Sequence, residues 1–239
     1  MPWLLLLAAT PILTFLGYVS GLPWLLPILQ VIPAYPLMVR DLRERRISRA
    51  ILRMLLWALL IAVSVEVLAL YAPESGAASV LHGRAYRDEM LRWVRTGSGT
   101  ESAPSRFIPQ HLLHAAVFIA LSLATASLAS LILGAVLMNY MSFYVGSLMS
   151  LAETPSKVAL FGWPPWAMLR VVSFVILGVV LAGPALKRWL GIPFRWEDRR
   201  LWIAAAGAGL ILDLALKAML APTWSALLRS ALFPVSRGL

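Results

Sequence analysis

The 239-residue sequence contains no cysteine, which removes disulfides, thiolate metal sites, CxxCH haem attachment and cysteine nucleophiles together. That absence carries no information about compartment. Charge is also scarce: 13% of residues are Asp, Glu, Lys or Arg, about half of the rough quarter that soluble domains carry. A soluble fold of this length needs those charges to cover its surface, so an ordinary soluble globular protein is excluded. Lysine is limited to Lys157, Lys187 and Lys217. The HExxH, GxGD, EExxxR and Walker A signatures are missing, which leaves familiar intramembrane proteolysis and ATP hydrolysis by this chain without support.

What fills the sequence is apolar. Hydrophobic residues make up 60% and the mean hydropathy is +0.80, values that predict an all-α, polytopic transmembrane helical bundle. The formal charge of +10 comes from 21 Lys and Arg against 11 Asp and Glu. In such a protein the excess belongs at anionic headgroups, which argues for membrane lipid as a partner and against nucleic acid.

Residues 3–39 carry no charge and are long enough for a hairpin of two spans, with Gly17, Ser20, Gly21 and Pro23 marking its turn. Pro27, Pro33 and Pro36 make its second arm irregular or re-entrant. A basic segment follows at 40–50, with Arg40, Arg43, Arg45, Arg46 and Arg49 suited to lipid or partner contact. A span is expected at 51–71, then an extracytoplasmic loop at 72–110. Within that loop, 80–95 reads as an amphipathic helix lying near the membrane surface, with Arg84, Asp88 and Arg92 on one stripe and His82, Tyr86, Glu89 and Trp93 on another.

Residues 111–152 form a long apolar run with no proline, charge or Gly-rich turn. Read as one helix it is about 60 Å long, twice the hydrocarbon thickness; a double crossing is the alternative. Further spans at 166–186 and 201–221 give about six in total, with five and seven as the alternatives.

Orientation follows the Lys/Arg bias. With both termini cytoplasmic, the inner side holds 11 basic residues, including six arginines in 40–53 and Arg237, and the outer side 10. The cluster at 40–53 is taken as cytoplasmic, in a bacterial plasma (inner) membrane. The short basic loop at 187–200 then falls on the wrong face, a conflict that a double crossing of 111–152 removes.

Small residues recur every fourth position in the long run, at Ser122, Ala126, Ser130 and Gly134, then at Ser142, Gly146 and Ser150. This spacing lets a second helix approach closely. In the last span Ala205, Gly209, Asp213 and Lys217 repeat the device. Asp213 and Lys217 stand one turn apart in the favourable acid-before-base order, so an intramembrane ion pair is expected between them.

All three histidines, His82, His111 and His114, lie on the side of the membrane to which Glu66 points. His111 and His114 share a helix face, and with Glu66 they make a plausible ligand set for a divalent metal such as zinc or iron, His82 joining as base or fourth ligand. Glu89 is seven residues from His82, about 10 Å along a helix, and cannot share that ion with it. The sequence thus supports a small permease subunit, or an embedded component of a larger membrane complex with other subunits or copies of itself, working through close helix packing. The alternative is a metal-dependent membrane enzyme with its Glu/His site on the extracytoplasmic face.

Overall fold

A computed structural model describes residues 2–233. The described chain is all-helical. Helices α1 (Pro2–Val19) and α2 (Leu25–Arg43) form an antiparallel pair, followed by α3 (Ile47–Tyr71). Two short helices, α4 (Pro73–Ser79) and α5 (Gly83–Thr96), and a 3-10 turn at Thr100–Ser102 lead to α6 (Pro104–Ala124) and α7 (Leu128–Leu151). The rest comprises α8 (Pro155–Gly162), α9 (Pro165–Leu181), α10 (Gly183–Leu190) and α11 (Arg200–Leu232).

Six helical stretches are long and apolar enough to cross a membrane: α2, α3, α6, α7, α9 with α10, and α11. α1 is apolar but shorter. The prolines Pro33 and Pro36 lie inside an unbroken α2, in place of the irregular arm expected there. α3 packs most extensively on α7, and α9 on α11.

The expected single helix over 111–152 is instead a tight hairpin of two antiparallel helices. Its turn places Ala126 and Ser127 in the left-handed region, φ 49° and 67°, a conformation that costs non-glycine residues about 1–2 kcal/mol each. Hydroxyl groups offset that cost. Thr125 Oγ1 accepts the Ala129 N–H at 3.0 Å and donates to Leu121 O at 2.7 Å, while the Ser127 N–H closes on Ser122 O at 3.0 Å. Ser127 Oγ then donates to Gly178 O of α9 at 2.5 Å, tying the turn to the bundle.

The small-residue series accordingly divides at this turn. Ser122 donates across the hairpin to Ser130 at 2.8 Å, and Ser122, Ala126 and Ser130 are buried. Gly134 is half-buried and faces Phe118. Ser142 and Gly146 pack inward, Gly146 against α3, whereas Ser150 is exposed.

The hairpin also reassigns the two ends of the bundle. At one end Arg53 lies 5.0 Å over the Trp3 ring, and Trp202 at the start of α11 lines a cleft with Arg45, Arg46 and Arg49. The 187–200 segment is therefore on the same end as 40–53. Arg40, Arg43, Arg45, Arg46 and Arg49 are exposed there. Glu44 bonds Arg40 at 3.0 Å and Arg46 at 2.6 Å, and the hydrogen bond from Arg40 holds its carboxyl below the usual range. The opposite end holds α4, α5, α8, the start of α6 and the end of α11, where Arg229 donates to Val94 O at 2.9 Å.

The described chain thus runs seven times along the bundle, and Pro2 and Phe233 lie at opposite ends of it. Arg237 lies outside the described residues. Among those residues the arginine-rich end carries 11 basic and four acidic side chains, the other end seven and five, leaving aside those within the helical core.

Two buried polar links in the interior have no local sequence signal. Gln30 and Asn139 exchange side-chain amide bonds, each 2.8 Å, across α2 and α7. Arg53, counted in the basic cluster by sequence, is buried and donates to buried Asp41 at 2.6 Å.

Candidate functional site

The polar interior is concentrated toward the end opposite the arginines. Asp213 and Lys217 of α11 are both buried, as their position on the packed stripe requires, but they do not pair with each other. Asp213 accepts a bidentate pair from Arg170 of α9, Nε at 2.9 Å and Nη2 at 2.8 Å. Lys217 Nζ lies 2.8 Å from Glu101 Oε2, an ionic contact without hydrogen-bond alignment. It also stands 4.6 Å over the Phe107 ring. An i,i+4 pair contributes about 0.2–0.5 kcal/mol, far too little to bury two charges. Each charge takes a separate partner from another element, and the planar guanidinium matches the carboxylate in two places at once.

Glu101 reaches Lys217 from the 3-10 turn between α5 and α6. That turn is anchored where the Trp93 indole donates to Ser102 Oγ at 2.7 Å and Ser102 Oγ donates to Gly97 O at 2.9 Å. Gly97 at φ 71° and Gly99 at φ 153° supply backbone angles that side chains disfavour. This Gly- and Ser-rich connector carries a carboxylate into the bundle.

The amphipathic helix expected at 80–95 is α5, and its apolar side turns inward. Met90, Trp93 and Val94 are buried, and the helix roofs the end of the bundle by packing on α7 and α11. The stripe of Arg84, Asp88 and Arg92 is exposed. On the inner face Tyr86 packs 4.4 Å from Tyr140 and 6.0 Å from Tyr144, ring centre to ring centre, and donates to Met141 Sδ at 3.3 Å. Burial pushes the Tyr86 phenol well above its ordinary value, which keeps it protonated as a donor.

Beneath this roof is a cavity of about 110 Å³. Its polar lining is Tyr86, Glu101, Gln110, His111, His114, Tyr140 and Arg170, and its walls are apolar. A wider groove of about 580 Å³ adjoins it, sharing Tyr86, Gln110, His114, Leu137 and Tyr140. Arg170 keeps its second Nη free of Asp213, and His111 Nε2 is buried without a partner.

The proposed metal ligands separate. Glu66 accepts a hydrogen bond from the Trp163 indole and, unlike His111 and His114, does not line the cavity. His111 points Nδ1 at Phe107 O, 2.5 Å away. His114 lines both cavity and groove, and His82, exposed at the start of α5, lines the groove alone. The physical reason lies in the packing: α6 sits chiefly on α7 and α9, while α3 packs on α7, so Glu66 and the histidines belong to different seams. Among the described residues no group of three or more His, Asp or Glu is placed to hold a metal ion.

Arg170, Glu101 and the three tyrosines are absent from the sequence-based site. Arg170 carried a usable signal, since a charge five residues into an apolar helix usually faces protein or water. No family model matches the chain, no curated protein matches it in sequence, and no solved structure matches it.

Proposed function

We propose that the chain is an integral membrane protein of seven passes that binds a small ligand in the cavity beneath α5, serving as a small permease or as the embedded ligand-handling component of a larger membrane complex. The observation that carries this reading is the junction of two ion pairs, Arg170–Asp213 and Lys217–Glu101, beside a cavity with an unpartnered buried imidazole nitrogen. Ionisable groups inside apolar helices are costly and are retained chiefly where they bind or move something. Glu101 lies outside the long helices, so its contact with Lys217 acts as a latch between the roof and the bundle. The metal-enzyme alternative loses its carboxylate to Trp163.

The charge distribution supports a cytoplasmic location for the arginine-rich end, because short basic loops stay inside. Both 40–53 and 187–200 then obey one rule. The exposed arginines of 40–49 meet anionic headgroups at that face, and the ligand cavity opens toward the other.

The natural absence of cysteine makes the test direct. Met138 lines the cavity and Val145 is buried away from it. In membranes, Met138→Cys should react with a small thiosulfonate while Val145→Cys does not. Adding Glu101→Gln should speed the Met138→Cys reaction about tenfold, the effect of removing about 1.4 kcal/mol of closing free energy. A Met138→Cys as inert as Val145→Cys in both backgrounds overturns the cavity reading. Reaction at an unchanged rate overturns the latch.

A further inference from the structure

The groove beside the cavity has a polarity gradient that identifies what it takes. It runs along α7 from Tyr140 through Leu137, Val136, Leu133 and Ile132 to Ala129. Those 11 residue steps span about 16 Å at 1.5 Å each. The end near Tyr140 is polar, with Gln110 and His114 from α6 and His82 and Tyr86 from the roof; the remaining length is aliphatic. An elongated apolar trough that runs along a long helix and ends in a polar chamber has the shape of a single-chain amphiphile aligned with the bilayer.

The chamber chooses the head. Arg170 has a free Nη, and its side chain retains 25% of its exposure at the cavity although its partner Asp213 retains 2%. His111 gives its Nδ1 proton to Phe107 O, which leaves Nε2 an acceptor and outside the anion's contacts. Gln110, His114 and Tyr140 donate no hydrogen bond among the described residues, and all three face the chamber. The charge of Glu101, the carboxylate in the chamber, is balanced by Lys217 at 2.8 Å, and that of Asp213 by Arg170. Glu89 lines the groove on the roof side with His82, outside the chamber. The groups left over are mainly donors around one cation, which complement a compact anion. A chamber of about 110 Å³ has room for a carboxylate or phosphate.

We infer that the α6–α7 groove and its chamber bind a single-chain membrane amphiphile with a compact anionic head, the chain lying along Ala129–Tyr140 and the head meeting Arg170, Gln110 and His114. This rests on the cavity being reached by a ligand, as proposed above. A carboxylate and a phosphate monoester share the recognised chemistry, and the experiment separates them.

The purified full-length protein in detergent is titrated with tritiated palmitate, tritiated lysophosphatidate and the uncharged tritiated monopalmitoylglycerol. The expected result is saturable binding of one anion at one site per chain, with the neutral ester about tenfold weaker or worse, since charge-assisted hydrogen bonds are lost. Val136→Trp fills the trough and should weaken binding about tenfold or more. Leu133→Trp, at a half-buried wall position, provides the same block should the first variant not fold. Gln110→Ala with His114→Ala should weaken the anion and leave the neutral ester unchanged. Absence of saturable anion binding, equal binding of the neutral ester, or indifference to both tryptophan variants overturns the inference. Such a result alongside a reactive Met138→Cys removes the amphiphile and leaves the cavity; an inert Met138→Cys removes both.

Discussion

Asp213→Ala is expected to lower stability by about 3–5 kcal/mol, the range for removing one partner of a buried ion pair. Asp213 is buried and accepts both bonds of the Arg170 fork, so its loss leaves a largely buried guanidinium between α9 and α11 without its counter-charge. The double replacement Arg170→Met with Asp213→Leu should recover most of that loss, because neither charge then needs solvation. Unfolding midpoints of the three proteins in detergent measure the effect. Were Asp213 partnered along its own helix by Lys217, Arg170→Met alone would be mild and Lys217→Met would reproduce Asp213→Ala. The geometry predicts the reverse for Arg170→Met, which leaves a buried carboxylate without its fork.

The second large effect is expected at Gly146, where α7 crosses α3. A Cβ there would stand 2.6 Å from Glu66 O and 2.7 Å from Ala69 Cβ. Backbone is the nearest obstacle, so no side-chain rotation relieves the clash. Gly146→Leu should destabilise by about 1–3 kcal/mol or more, the usual cost of overpacking, and the same contact holds Glu66 at the depth where Trp163 meets it. Gly207 supplies the control. A Cβ at that position on α11 meets nothing within 4 Å, and Gly207→Ala should be neutral or stabilise by up to about 1 kcal/mol through helix propensity. Equal losses at Gly146 and Gly207, read by thermal melts, would contradict the close approach of α3 and α7.

The helical class and the apolar stretches were legible because composition and run length determine them. So was the burial of Asp213 and Lys217, which follows from their place on a four-residue stripe. Their partners were not legible, since Arg170 and Glu101 arrive from other elements and a local spacing rule reports local neighbours. The same limit hides the Gln30–Asn139 amide pair, whose members lie 109 residues apart.

The turn at 125–127 failed for a different reason. Sequence rules look for glycine or proline where a chain reverses, and here Thr125 and Ser127 stabilise the reversal through hydroxyl bonds to Leu121, Ala129 and Gly178. Missing that turn changed the count of long helices, which separated 187–200 from the 40–53 end of the bundle and divided the positive charge almost evenly. It also hid the cavity, because the α6–α7 hairpin forms one of its walls. The histidines were correctly grouped near one end. Their supposed metal partner was not, because α3 and α6 pack into different seams.

Cysteine mapping of the ends tests the seven-pass architecture that places the cavity. Ser48→Cys, Arg195→Cys and Arg92→Cys are each made singly in the cysteine-free chain, at exposed positions, and labelled with a membrane-impermeant maleimide in sealed vesicles of known orientation. The hairpin at 125–127 predicts that Ser48→Cys and Arg195→Cys are labelled from the same face and Arg92→Cys from the other. Labelling of Ser48→Cys and Arg195→Cys from opposite faces would contradict it.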